Sequence, residues 1–345
     1  MIKQVLPIIF FLFSVFKISG QNLNRSIDSL LISNNGQPFS GVILIAKGAD
    51  EIYSNAWGFS EMRVQKTLTR KSQFVIGSLS KQLTAAMVLQ AYDQGLLKLD
   101  LPIKKYLPLM SATWSDTVTI HHLLTHTHGI VALNEPLAFV PGTQFQYSQL
   151  GFELLANILE SVTHQSFETL SNELFKKCNM MSSTHPFTKQ LYMNVVKGYA
   201  SVNTTSKLKP VSIEKSTENY AAAGCFVSNA DDLVKWNQLL YGGKLLSDSA
   251  FKLMISIYPN AVRNHPLFGP TTYGYGTTIT QKDGLLQIGQ TGFAPGFISM
   301  NFYFPESKVS VIVLSNFAHD TEHLSNTFYY HLRILDLARN YIKAR

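Results

Sequence analysis

Cysteine is scarce in this sequence: among 345 residues only Cys178 and Cys225 carry a thiol. That excludes a disulfide framework and leaves one bridge between the two as the most the chain can form. Neither lies in a Cys/His pattern that marks a thiol nucleophile, so both read as buried and inert. Charge is sparse as well, at 15% of residues. The 29 basic residues outnumber the 22 acidic ones, for a net charge of +7, yet they are scattered and form no Lys/Arg block. This is a solvated surface, and nucleic acid is not an expected partner. With 46% hydrophobic residues the chain has ample core material, which excludes disorder. No internal repeat is present, so a solenoid is excluded too.

Long apolar runs are missing except at the start, where Val5 to Phe16 is apolar. Lys3 precedes this run and Ser19-Gly20 follows it, the layout of a secretory signal peptide at 1–20. The run is too short to span a bilayer comfortably, although an uncleaved anchor is the other reading. Export to the periplasm or medium is therefore expected, with residues 21–345 as the working domain and no integral membrane span beyond the leader.

What is present reads as strands at the two ends and helices between. A short helix is expected near Ser26–Ser33, followed by a turn from Asn35 to Pro38. G-V-I-L-I-A-K (41–47) and E-I-Y-S-N-A-W-G-F (51–59) read as a hairpin around Gly48-Ala49-Asp50. From roughly 119 to 180 the periodicity is helical, and Ser201 to Asn219 is a polar surface stretch with some strand. Asn229 and Asp231 offer caps for a helix through Leu240, closed by Gly242-Gly243. After Tyr273, short β-branched and aromatic runs near 274–280, 285–289, 297–304 and 308–315 predict an antiparallel meander, and a helix follows from about Thr321. The fold class expected is α+β: an antiparallel sheet assembled from about 36–60 and 273–316, flanked by helices, with a helical subdomain inserted over about 96–260.

The stretch with most chemistry is F-V-I-G-S-L-S-K-Q-L-T, Phe74 to Thr84. An apolar run meets Gly77, and Ser78 then opens a segment with amphipathic helical periodicity running to Gly95. Ser78 and Lys81 are three apart and share a helix face. A serine hydroxyl is a poor nucleophile until a base takes its proton, and a desolvated lysine can do so. The first helical turn also offers free N–H groups to developing negative charge. The spacing alone is weak, because S-x-x-K also occurs at Ser14, Ser206, Ser212 and Ser249. Only Ser78 follows an apolar run and a glycine. On local context it reads equally as nucleophile and as helix N-cap.

Two further runs stand out. In F-V-P-G-T-Q-F-Q-Y-S-Q-L-G-F (139–152), Tyr147-Ser148-Gln149 precedes a helix starting near Leu150, and the tyrosine reads either as a functional group or as an aromatic plug. In I-G-Q-T-G-F-A-P-G-F (288–297), glycines flank Thr291 on an edge-like strand that suits close approach of a ligand. The Phe293 N–H is placed to meet an oxyanion.

Together with L-L-T-H-T-H-G-I (123–130) and A-A-G-C-F-V-S-N-A-D-D-L (222–233), these runs resemble the serine β-lactamase and penicillin-binding superfamily, nearest to its class C β-lactamase, DD-peptidase and esterase branch. The likeness covers roughly 36–318. It implies a β-lactamase/transpeptidase-like fold and a Ser78 acyl-enzyme, with Lys81 as the adjacent base and Tyr147 as the proton shuttle. It also implies an oxyanion hole from the backbone N–H groups of Ser78 and Phe293, and substrate contacts from Gln149, Gln290, Thr291 and Gly292. The implied substrates are small esters, amides or D-amino-acid peptides, with no cofactor and no metal; the expected export adds cell-wall peptides.

The sequence departs from the family's pattern at three positions. Gln149 stands where the family usually has Asn, so its reach to Lys81 or to a substrate amide is expected to shift. Gln290 stands where the family has Lys or His, a cation that binds a substrate carboxylate and favours ionised tyrosine. Poor hydrolysis of penicillins and cephalosporins is the consequence expected. His128 replaces a common small Ser and is expected to crowd the cleft. A silent, ligand-binding relative is the competing reading. His121, His122, His126 and His128 invite a zinc reading, with His122 and His126 at i, i+4, but no H-E-x-x-H pattern or completing carboxylate supports it.

Overall fold

Strand β1 (Gly41–Lys47) is buried at every position but its last. Its side chains alternate between two cores, Val42, Leu44 and Ala46 facing one and Ile43 and Ile45 the other. Covered on both faces, the strand reads in sequence as an unbroken apolar run. The computed structural model describes residues 22–33, 37–188, 195–217 and 221–345. The leader, Asn35 and Gly36 of the expected turn and the last residues of the polar stretch lie outside the described residues.

Seven more strands complete the main sheet: β2 (Asp50–Trp57), β3 (Val262–His265), β4 (Gly269–Tyr273), β5 (Thr278–Lys282), β6 (Leu285–Ala294), β7 (Phe297–Phe304) and β8 (Val309–Ser315). They lie in the order β2-β1-β8-β7-β6-β5-β4-β3, antiparallel throughout. The pairing of β1 with β8, Gly41 opposite Ser315, joins the two ends of the chain. Helix α1 (22–33) and the last helix cover one face through Leu23, Ile27, Leu31, Ile334, Leu335 and Ala338. The other face carries the larger core, built with the helices between β2 and β3. This is the α+β arrangement expected, and among the described residues no helix is long and apolar enough to cross a membrane.

Two expectations need correction. The sheet begins before Tyr273: the β3–β4 hairpin adds strands from R-N-H-P-L-F-G-P sequence, whose proline and polar residues carry no alternating apolar pattern. The helix after Ser78, α2 (Ser80–Asp93), is not amphipathic. Ser80 to Leu89 is buried all round, because α2 runs through the middle of the helical layer. Its polar side chains are satisfied inside: Gln82 donates to Tyr241 and Thr277 and accepts from Trp236 Nε1, and Thr84 donates to Ala222 O. Asn229 does cap the helix Ala230–Tyr241, accepting from Asp232 N at 2.9 Å.

Candidate active site

Ser78 sits on a sharp turn. A short strand, Phe74–Val75, pairs with Val227–Ser228, Gly77 adopts φ +53°, and a 3-10 turn over Gly77–Leu79 feeds α2. From Gln73 to Leu89 every residue is buried except Ser78. It makes no cap hydrogen bond to either helical segment, so the N-cap reading fails. Ser80 holds the turn instead, donating to Gly77 O at 2.8 Å and accepting from Phe226 N at 3.1 Å.

One turn on, the fully buried Lys81 points its Nζ at Ser78 Oγ, 3.5 Å away. Two carbonyl oxygens take its other hydrogens, Ala223 O at 2.6 Å and the side-chain oxygen of Gln149. The expected shift in reach does not cost this contact: Gln149, at the N-cap of helix α3 (Leu150–Thr163), still meets the lysine. Burial pushes the Lys81 pKa below its ordinary value, against the opposing pull of Tyr147. Nζ lies 4.7 Å from the Tyr147 ring centroid. Burial alone would raise the Tyr147 pKa, but the charges of Lys81 and Arg263, with the polar groups of Ser78 and Lys81 nearby, bring it below the ordinary phenol value. The Tyr147 ring also packs with His126 and Tyr273.

The motif half of β6 has a free edge. β5 stops at Thr278, opposite Gly289, so Gln290–Ala294 pairs only with β7. That edge lies against the Ser78 turn: a Cβ on Gly77 would fall 2.6 Å from Phe293 N, and one on Gly292 would fall 2.2 Å from Ile76 O. Glycine at both places lets the Phe293 amide come beside Ser78. The Ser299 hydroxyl fixes the contact by donating to Ile76 O at 2.6 Å. Gln290 is buried, its Nε2 donating to Tyr273 Oη at 3.1 Å and its Oε1 accepting from Thr278 Oγ1 at 3.3 Å. The amide expected to face a ligand is thus engaged within the protein. Thr291 Oγ1 lies 3.2 Å from His265 Nε2.

Several polar groups here were not foreseen. Arg263, on β3, lies over the Tyr147 ring, 4.3 Å from its centroid. Glu153, on α3, lies near the backbone N–H groups of Ala222 and Ala223, and burial pushes its pKa up to about 7. Its Oε1 is buried without a partner among the described residues. His126 adopts φ +59°, and its Nδ1 accepts from Ser148 N at 3.2 Å, which fixes the loop that presents Tyr147.

The histidines have structural partners. His122 Nδ1 caps Ile120–Leu124 by accepting from Thr119 N, and that helix ends before His126, so the two share no helix face. His121 meets Tyr275 Oη at 2.8 Å. His128 does not crowd the cleft. Its buried ring packs against Gly151, and its Nδ1 accepts from Ile130 N at 2.9 Å. Among the described residues no His, Cys, Asp and Glu group has metal-holding geometry. Cys178 and Cys225 are buried free thiols and are not bridged.

Comparison with known proteins agrees with this geometry. The chain is 25% identical over 344 residues to penicillin-binding protein 4* of Bacillus subtilis, covering 88% of this chain and 74% of the relative. Its fold resembles EstCE1, a hydrolase with promiscuous acyltransferase activity, at TM-score 0.77 and 22% identity, over 93% of this chain and 99% of that one. It likewise resembles the D-amino acid amidase from Ochrobactrum anthropi SV3, at TM-score 0.78 and 18% identity, over 92% and 99% of the two chains. The profile of the family described as Beta-lactamase matches residues 32–335. A turn that exposes Ser78 alone, a buried lysine behind it and a family match over most of the length lead to one assignment: the chain belongs to the Beta-lactamase family, and is a serine hydrolase of the β-lactamase and penicillin-binding protein superfamily.

Proposed function

We propose that the protein cleaves small esters, amides or D-amino-acid peptides through a Ser78 acyl-enzyme. The observation that carries this reading is the buried Lys81, whose Nζ lies 3.5 Å from Ser78 Oγ and 4.7 Å from the Tyr147 ring centroid. Ser78 Oγ attacks the substrate carbonyl carbon while its proton passes to the Tyr147 oxygen. The N–H groups of Ser78 and Phe293 receive the resulting oxyanion. As the tetrahedral adduct collapses, the bond to the leaving group breaks and the leaving group takes the proton from Tyr147. A water molecule then attacks the acyl carbon, gives its proton to Tyr147, and the acid departs as Ser78 recovers its hydrogen. Lys81 holds the tyrosine towards its ionised form throughout, and its two carbonyl partners fix its position.

The substrate class follows from the chemistry of the site and from the similar amidase and hydrolase folds. Export is part of the proposal and rests on the leader at 1–20. An exported enzyme of this kind meets cell-wall peptides. The test is intact-protein mass spectrometry after exposure to a fluorophosphonate and to a fluorescent penicillin, with Ser78→Ala alongside. One fluorophosphonate adduct on the wild type and none on the variant is the expected result. Folded wild type that takes up neither reagent would turn the reading to a ligand-binding relative without turnover.

A further inference from the structure

β3 brings two side chains to the cleft. Arg263 and His265 are two apart on a strand and so point to the same side, while Val262 and Asn264 between and before them are exposed. Arg263 reaches the Tyr147 ring at 4.3 Å, and His265 reaches Thr291 Oγ1 at 3.2 Å. The strand thus spans from the tyrosine loop to the motif edge of β6. His265 Nδ1 accepts from Leu267 N at 3.1 Å, so its hydrogen sits on Nε2 and is donated to Thr291 Oγ1. With that oxygen accepting, the Thr291 hydroxyl hydrogen is left to donate outward. Among the described residues the Arg263 guanidinium makes no hydrogen bond and no ion pair. Its planar fork is therefore free to pair with an anion, and a carboxylate matches it edge to edge.

Gln290 does not fill that role, because its amide is held by Tyr273 and Thr278 and carries no charge. We infer that Arg263, over the Tyr147 ring and on the same strand as the His265 that meets Thr291, is the carboxylate-binding cation of this cleft, so that the preferred substrates carry a free carboxylate. The inference rests on the Ser78 acyl-enzyme proposed above. A cleft without a cation at Gln290 is then not a cleft without a cation, and poor hydrolysis of penicillins and cephalosporins no longer follows from Gln290 alone.

The test uses a matched pair of depsipeptide esters, one ending in a free carboxylate and the other in the carboxamide. Wild type, Arg263→Met and Arg263→Lys are compared on both, with fluorophosphonate labelling of each preparation. Wild type is expected to favour the carboxylate by roughly 10- to 100-fold in kcat/KM, the range for a hydrogen bond to a charged group. Arg263→Met should bring that ratio close to one, chiefly through KM. Arg263→Lys should keep part of it, since the charge remains and the fork is lost. Equal losses on both esters in Arg263→Met would overturn the inference and make Arg263 a positioning residue for Tyr147. Wild type that labels at Ser78 but shows no carboxylate preference would overturn it alone, whereas wild type that does not label at all would sink the acyl-enzyme reading with it.

Discussion

The side-chain oxygen of Gln149 accepts a hydrogen bond from Lys81 Nζ, tying the start of α3 to the first turn of α2. The extra methylene relative to asparagine is absorbed because Gln149 sits at the helix N-cap, beside the lysine. With Ala223 O at 2.6 Å, this gives a buried amine two acceptors and leaves its remaining valence facing Ser78 and Tyr147.

Removing that acceptor should cost more than stability. Gln149→Leu leaves the buried lysine with Ala223 O as its one remaining carbonyl partner, a loss of about 1–3 kcal/mol by the usual penalty for an unmet buried donor. Lys81 would then lose protons more readily and hold its position less well. Fluorophosphonate labelling of Ser78 is expected to slow by roughly 10- to 100-fold, with Gln149→Asn between this variant and the wild type. Gln149→Leu labelled at the wild-type rate would show that the contact does not position Lys81 for acylation.

Glu153 makes a prediction about pH and stability. Its pKa is pushed up to about 7 from an ordinary 4.5 by burial, against the pull of Lys81 and two backbone N–H groups. A carboxyl that binds its proton more tightly in the folded state stabilises fully below its unfolded pKa. That contribution is lost as pH rises through the folded pKa. The thermal stability of wild type minus that of Glu153→Gln should therefore fall between about pH 4.5 and pH 7. The shift corresponds to about 3 kcal/mol at most, less for the share of the side chain that meets solvent. Melting temperatures of both proteins across this interval test it, and a flat difference would mean that Glu153 is already ionised when folded.

The parts of this site that were legible in sequence are those defined by local chain geometry. G-S-x-x-K after an apolar run specifies a tight turn into a helix, and Q-T-G-F-A-P-G-F specifies a strand with room for a close neighbour. Arg263 was not legible. Its strand is four residues long and ends beside proline, and only the register of the sheet brings it over Tyr147. Glu153 was missed because a glutamate in the first turn of a helix ordinarily faces water. Its burial depends on Ala222 and Ala223 packing above it, nearly seventy residues further along the chain. The burial of α2 was misread for a related reason: Gln82 and Thr84 look like a polar face, but partners from distant segments take them inside.

Gly77 and Gly95 separate backbone strain from steric contact. Both have positive φ, +53° and +73°. A side chain at either pays the left-handed penalty, on the order of 1 kcal/mol. At Gly95 an added Cβ meets nothing within 4 Å, so Gly95→Ala should lower stability by about that amount and leave Ser78 labelling unchanged. At Gly77 the same atom would fall 2.6 Å from Phe293 N and 2.9 Å from Gly292 Cα, which are backbone atoms of a paired strand. They can yield only if β6 moves away from the turn, carrying the Phe293 N–H from the oxyanion. Gly77→Ala is therefore expected to lower stability by about 2–4 kcal/mol, strain and overpacking together. It should also slow Ser78 acylation by about 100-fold or more, the usual effect of losing one oxyanion donor. The two melting temperatures and the two labelling rates decide the matter: a Gly77→Ala protein that loses stability but labels normally would place the oxyanion hole elsewhere.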